Sequence, residues 1–111
     1  MQENNPEYTV QQLEKMTDRI SSLYKECRKR MNYCQRAALI EENKDAYEQD
    51  LKVVAYVDCC LETCSKDTQK IIRSDYLEVS DPKWYMEYYS ATGYYRRKQK
   101  AIEEFINCLD L

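Results

Sequence analysis

Residues Asp81 to Leu109, DPKWYMEYYSATGYYRRKQKAIEEFINCL, decide how this chain is read. Asp81 followed by Pro82 is a helix start: Asp caps a backbone N–H, and Pro suits the first helical position, whose N–H has no partner within the helix. A short aromatic helix then runs to a break at Ser90. The second helix opens with the small residues Ala91, Thr92 and Gly93, then carries Arg96, Arg97, Lys98 and Lys100 with no acidic residue before Glu103. A supporting helix, a tight corner and a second helix with a basic first half make the layout of a helix-turn-helix.

Working outward, SKDTQKIIRSDYLEV (65–79) predicts a preceding helix, opened by Ser65 with Asp67 and Thr68 behind it, whose apolar side is Ile71, Ile72, Tyr76 and Leu77. Before it, Tyr47, Leu51, Val54, Val57, Leu61 and Cys64 fall on one helical face. Val53, Val54 and Val57 are β-branched, but alternation is absent and no partner strand exists, so helix is the expectation. EENKD (41–45) is the best break in the first half, with Asn43 as a helix stop and Asp45 as the next cap. The first helix is expected from about Tyr8 to the mid-thirties, with a seam of Leu13, Met16, Ile20, Leu23, Cys27 and Cys34 and with Tyr24 and Met31 beside it. Three heptads are marginal for an independent coiled coil, so the seam packs on the second helix, with homodimerisation through the N-terminal helices as a further expectation.

These elements define an all-α chain of about five helices. Residues 1–64 form an N-terminal helical hairpin or coiled-coil-like arm for packing and dimerisation, and residues 65–111 form the helix-turn-helix segment. Composition agrees: 111 residues make one domain, and one Gly and two Pro leave little material for hairpin turns. The net charge of -3 excludes a protein that coats nucleic acid by bulk positive charge. It does not exclude a local basic surface, because charges are screened beyond roughly 8–10 Å. Between Ser90 and Ile102 every charged side chain is basic, whereas Glu41, Glu42, Asp45, Glu48 and Asp50 form an acidic stretch elsewhere.

No apolar run approaches the roughly 20 residues that span a bilayer, and MQENNPEYTV lacks the basic-then-apolar pattern of a signal peptide. The expectation is a cytoplasmic protein without membrane partners. In that setting the six cysteines, Cys27, Cys34, Cys59, Cys60, Cys64 and Cys108, read as small apolar core residues. With no His and no CxxC pair, neither a metal nor another cofactor is expected. Nor is an enzyme. General acid–base chemistry has no His, there is no glycine-rich phosphate loop, and the Asp58 and Glu62 carboxylates one turn apart have nothing nearby to complete a site.

The basic helix carries the expected task. In a helix-turn-helix the second helix enters the major groove of double-stranded DNA, with its first turns at the base edges. Ser90 caps the corner. Thr92 meets a thymine methyl or a phosphate; Arg96 and Arg97 make bidentate contacts with guanine edges or phosphates. Lys98 and Lys100 meet phosphate as point charges. Tyr95 either reaches a phosphate through its hydroxyl or packs its ring at the domain edge. Tyr94, Ala101, Phe105 and Cys108 anchor the helix inward. Trp84, Tyr85, Tyr88 and Tyr89 are read as packing residues rather than a stacking platform for single strands.

Ser65 to Leu109 resembles the promoter-reading fourth region of sigma factors: a helix leading to a Tyr-Leu pair, a supporting helix, a Ser-capped corner, and a Tyr-Arg-rich second helix ending in Ala and apolar positions. The whole plan is similar to the small phage and prophage regulators of the ArpU and RinA type. Tyr85-Met86 replaces the small pair usual in the supporting helix, and Tyr89 replaces the usual Gly before the corner. The resemblance implies a transcription regulator that binds a specific DNA sequence and has RNA polymerase as a second partner. The contrasting expectation is a helical protein-interaction adaptor, or a polymerase-binding modulator without DNA contact, suggested by the apolar N-terminal seam and the acidic overall balance.

Overall fold

The computed structural model describes residues 8–34 and 41–110. Its helices are α1 (Val10–Tyr33), α2 (Lys44–Glu62), α3 (Lys66–Ile72) and α4 (Ala91–Leu109). A π-helical turn, Arg73–Leu77, prolongs α3, and a 3-10 turn, Trp84–Glu87, precedes α4. The fold is all-α, with no strand among the described residues.

α1 begins at a capping box. The Thr9 hydroxyl accepts from the Gln12 N–H at 3.1 Å while the Gln12 side chain accepts from the Thr9 N–H at 2.8 Å, so two N–H groups of the helix end are satisfied. α1 and α2 form an antiparallel hairpin: late in α1, Arg30 meets Asp50, and a turn and a half earlier Tyr24 meets Asp58. The α1 seam differs from the apolar count. Leu13, Thr17, Ser21, Tyr24, Cys27 and Cys34 are buried, whereas Leu23 is half exposed. A tyrosine displaces a leucine because its ring can be buried while its hydroxyl reaches a partner, here Asp58 at 2.8 Å. Thr17 fits the core because its hydroxyl donates back to the Leu13 carbonyl at 2.9 Å.

α2 shows the same kind of displacement. Asp50 is buried and Leu51 is 45 % exposed. Arg30 holds the Asp50 carboxylate through two donors, Nε at 3.0 Å and Nη2 at 2.8 Å, the forked geometry that makes burial of a carboxylate tolerable. That hydrogen bonding keeps the Asp50 carboxyl below its ordinary value. Asn43 breaks the chain between the helical Glu41-Glu42 and α2, and it is the cap; Asp45 stands in the first turn rather than at the cap. There its charge still suits the positive end of the helix.

One core joins the two halves of the sequence. Leu61 of α2, Ile71 and Ile72 of α3, and Phe105 and Ile106 of α4 are almost wholly removed from solvent and belong to a single cluster with Tyr24 and Cys27 of α1. The boundary expected between residues 64 and 65 is a break in the helix path, and the core runs across it. α4 lies against α1, α2 and α3, so its outer side is set by the whole domain.

Candidate nucleic-acid interface

α4 starts where the sequence places it. Ser90 is extended, and its Oγ accepts from the Gly93 N–H at 3.1 Å. A Cβ on Gly93 would stand 2.9 Å from Ser90 Oγ, so the capping hydroxyl would have to shift to admit one. Tyr94, Ala101, Ile102, Phe105, Ile106 and Leu109 then form the buried stripe. At the far end Tyr56 donates to the Leu109 carbonyl at 2.6 Å, and Asp110 closes the helix in a left-handed conformation at φ 58.

The corner before α4 departs from the expected supporting helix. The Asp-Pro start does initiate a turn: the Asp81 carboxylate accepts from the Lys83 N–H at 2.9 Å, and the Asp81 carbonyl accepts from Trp84. Only one 3-10 turn follows. A segment this short has little helix stability of its own, and its aromatic side chains are drawn onto α3 and α4. Trp84 Nε1 donates to Asp75 at 2.8 Å, the Tyr85 ring stacks on Tyr94 at 4.0 Å, and the Tyr89 hydroxyl donates to Asp67 at 2.5 Å. Lys70 lies over the Tyr88 ring, 3.2 Å from its centroid. Of the four aromatics expected to pack, Trp84, Tyr85 and Tyr89 do so, whereas Tyr88 is 57 % exposed.

The four cations divide into two pairs. Successive residues of a helix project about 100° apart, so Arg96 and Lys100, one turn from each other, share a face with Thr92, while Arg97 and Lys98 turn progressively away. Thr92, Arg96 and Lys100 are exposed, and Arg96 and Lys100 have no ion pair among the described residues. Arg97 pairs with Asp67 and lies over the Tyr89 ring at 5.3 Å. Lys98 is the least exposed of the four; its ammonium stands 3.4 Å from Asp75, with the Tyr76 ring 5.3 Å away. Tyr95 is 60 % exposed, with its ring tilted against that of Tyr94.

Three acids position the basic helix through contacts that sequence spacing does not show. Asp75 accepts from Trp84 Nε1 and from the Tyr94 hydroxyl, and it pairs with Lys98. Asp67 accepts from Tyr89 and pairs with Arg97. The Tyr89 hydrogen bond, reinforced by the Arg97 guanidinium, holds Asp67 below the usual carboxylate range; burial, with Asp67 beside it, pushes Tyr89 up to about 12. Glu104 accepts from the Ser65 N–H at 3.0 Å, the Ser65 hydroxyl at 3.1 Å and the Thr68 hydroxyl at 2.5 Å, tying the start of α3 to α4. A groove between these elements is lined by Asp67, Thr68, Arg96, Arg97, Lys100 and Glu104. Its lining carries both signs of charge, with Arg96, Arg97 and Lys100 alongside Asp67 and Glu104.

Among the described residues no cluster of His, Cys, Asp and Glu is arranged to hold a metal ion, and no helix is long and apolar enough to cross a membrane. No family model, curated protein or solved structure matches this chain.

Proposed function

We propose that this chain is a sequence-specific DNA-binding transcription regulator of the phage or prophage kind, with the outer face of α4 entering the major groove. The observation that carries this reading is the stacking of Thr92, Arg96 and Lys100 at one-turn intervals, exposed and opposite the buried stripe. Arg96, a rigid fork of donors, suits a guanine edge; Lys100 suits a phosphate. Arg97 flanks them and reaches DNA by exchanging Asp67 for a phosphate. Lys98 supports the helix from its inner side. Ser90 fixes the helix start, and Tyr95 offers its hydroxyl at the margin. The 3-10 connection takes the place of a supporting helix, with α3 as the element that braces α4.

The test is selection of genomic fragments by the purified chain, followed by affinity measurement on the recovered sequence at several salt concentrations. A reader that neutralises several phosphates loses affinity steeply with salt. Failure to enrich any sequence counts against the reading.

A second reading, the helical adaptor or polymerase-binding modulator, rests on a separate observation. Ile20, Leu23, Val53, Tyr56 and Leu109 line an apolar groove where α1, α2 and the end of α4 meet. Leu23 and Tyr56 there are about half exposed. Binding through such a groove would persist as salt is raised, which separates the two readings.

A further inference from the structure

We infer that Cys64 and Cys108 are a dithiol that closes to an intramolecular disulfide on reaction with a low-molecular-weight disulfide such as oxidised glutathione. The two residues lie 44 positions apart in the chain, at the end of α2 and in the last turn of α4, yet Cys64 Sγ stands 3.3 Å from Cys108 Sγ. Bond formation requires the two sulfurs to close from 3.3 Å to about 2.05 Å. Cys64 Sγ also lies 3.6 Å from the Cys60 carbonyl, and the Thr63 hydroxyl, which donates to that carbonyl at 2.7 Å, stands 3.4 Å from Cys108 Sγ. Of the remaining cysteines, Cys27 and Cys34 are buried in α1 and at its C-terminal cap, Cys59 faces solvent, and Cys60 is partly exposed one helical turn before Cys64.

Exposure orders the steps. Cys108 is partly accessible and Cys64 is buried, so the reagent meets Cys108 first. The Cys108 thiolate attacks one sulfur of the small disulfide, forming a mixed disulfide and expelling one thiolate. The Cys64 thiolate then attacks the Cys108 sulfur and expels the second. Two protein thiols are oxidised to one disulfide and the reagent is reduced to two thiols, which take up the two protons. Burial raises the Cys64 thiol well above its ordinary value, with Cys108 adding to the effect, which lowers its thiolate fraction for the second step. The product staples the end of α2 to the end of α4, making the rigidity of α4 respond to the surrounding thiol–disulfide balance. The dithiol is independent of what the basic face binds.

The experiment treats the full chain with oxidised glutathione, blocks remaining thiols and maps peptides by mass spectrometry without reduction. The expected result is a transient glutathione adduct on Cys108 that gives way to a Cys64–Cys108 cross-link, with an adduct persisting on Cys59. In Cys64→Ser the Cys108 adduct should accumulate; in Cys108→Ser, Cys64 should stay unmodified. The time course on the natural chain decides the matter even where a variant folds poorly. A Cys108 adduct that persists in the natural chain, or a cross-link that instead joins Cys59 or Cys60 to Cys108, overturns the assignment.

Discussion

Replacing Asp75 with Ala should destabilise this domain more than any other single change at a charged residue of α3 or its extension. The side chain is 14 % exposed and holds three partners at once: the Trp84 indole N–H, the Tyr94 hydroxyl and the Lys98 ammonium. Tyr94 is 3 % exposed, so its hydroxyl loses the Asp75 acceptor in a place water does not reach freely. A buried donor left unpaired costs about 1–3 kcal/mol, and the indole N–H, on a half-buried ring, falls at the lower end. The partly solvated Lys98 pair adds up to about 1 kcal/mol. Together the loss is about 2–5 kcal/mol, a large part of the roughly 5–15 kcal/mol that keeps a small domain folded. Asp75→Asn keeps an acceptor for Trp84, and its amide can donate to a rotated Tyr94 hydroxyl, so it should lose only about 1–2 kcal/mol. Urea titration reads both variants. Trp84 is the sole tryptophan and touches Asp75, so its fluorescence follows the site while far-UV circular dichroism follows the helices. The reasoning is refuted if Asp75→Ala unfolds within about 1 kcal/mol of the natural chain, or if Asn costs as much as Ala.

Other substitutions probe the core, the cap and the ion pairs. Phe105→Ala empties the centre of the cluster and should cost about 3–5 kcal/mol in the same titration; a loss under about 1 kcal/mol would mean that Phe105 is not at the centre. Gly93→Ala gains about 1 kcal/mol of helix propensity but pushes the Ser90 hydroxyl off its cap, worth about the same, so the melting temperature should hardly move; a clear rise would show that the cap contributes little. Asp50 and Asp67 are both held below their ordinary value in the fold, by Arg30 and by Tyr89 with Arg97. Their contributions are complete above the unfolded carboxylate value and are lost as pH falls through the folded one. Stability should therefore decline from about pH 5 downward, and Asp50→Asn should make that decline shallower. An unchanged acid slope in the variant would remove Asp50 from the explanation.

The sequence made the helices legible because their signals are local. Ser65 and Ser90 accept from the N–H three residues on, and the Tyr94, Ala101, Phe105 spacing marks the inward stripe of α4. Asn43 is legible as a break for the same reason. Reading by apolarity fails where a polar residue carries its own partner into the core: Tyr24 with Asp58 and Asp50 with Arg30 take the places that Leu23 and Leu51 appeared to claim on hydrophobicity alone. The supporting helix was misjudged because its start signal is real but its length is decided by tertiary contacts of Trp84, Tyr85 and Tyr89. The division of the cations was hidden for a related reason. A run such as Arg96-Arg97-Lys98 gives charge but not direction, and the acids that claim Arg97 and Lys98 lie in α3 and its extension. Asp75 has no local mark at all, since its partners Trp84 and Tyr94 are nine and nineteen residues away.

The central claim is that the outer face of α4 reads duplex DNA, and salt-dependent binding to a selected fragment tests it most directly. Fluorescence anisotropy with the natural chain, Arg96→Ala and Lys100→Ala should separate the two roles. Lys100→Ala is expected to weaken binding to all sequences and reduce the salt slope by about 1, whereas Arg96→Ala is expected to cost about 1–3 kcal/mol on the selected site and relax its specificity. Binding that ignores salt and survives both substitutions unchanged would contradict the account and turn attention to the apolar groove instead.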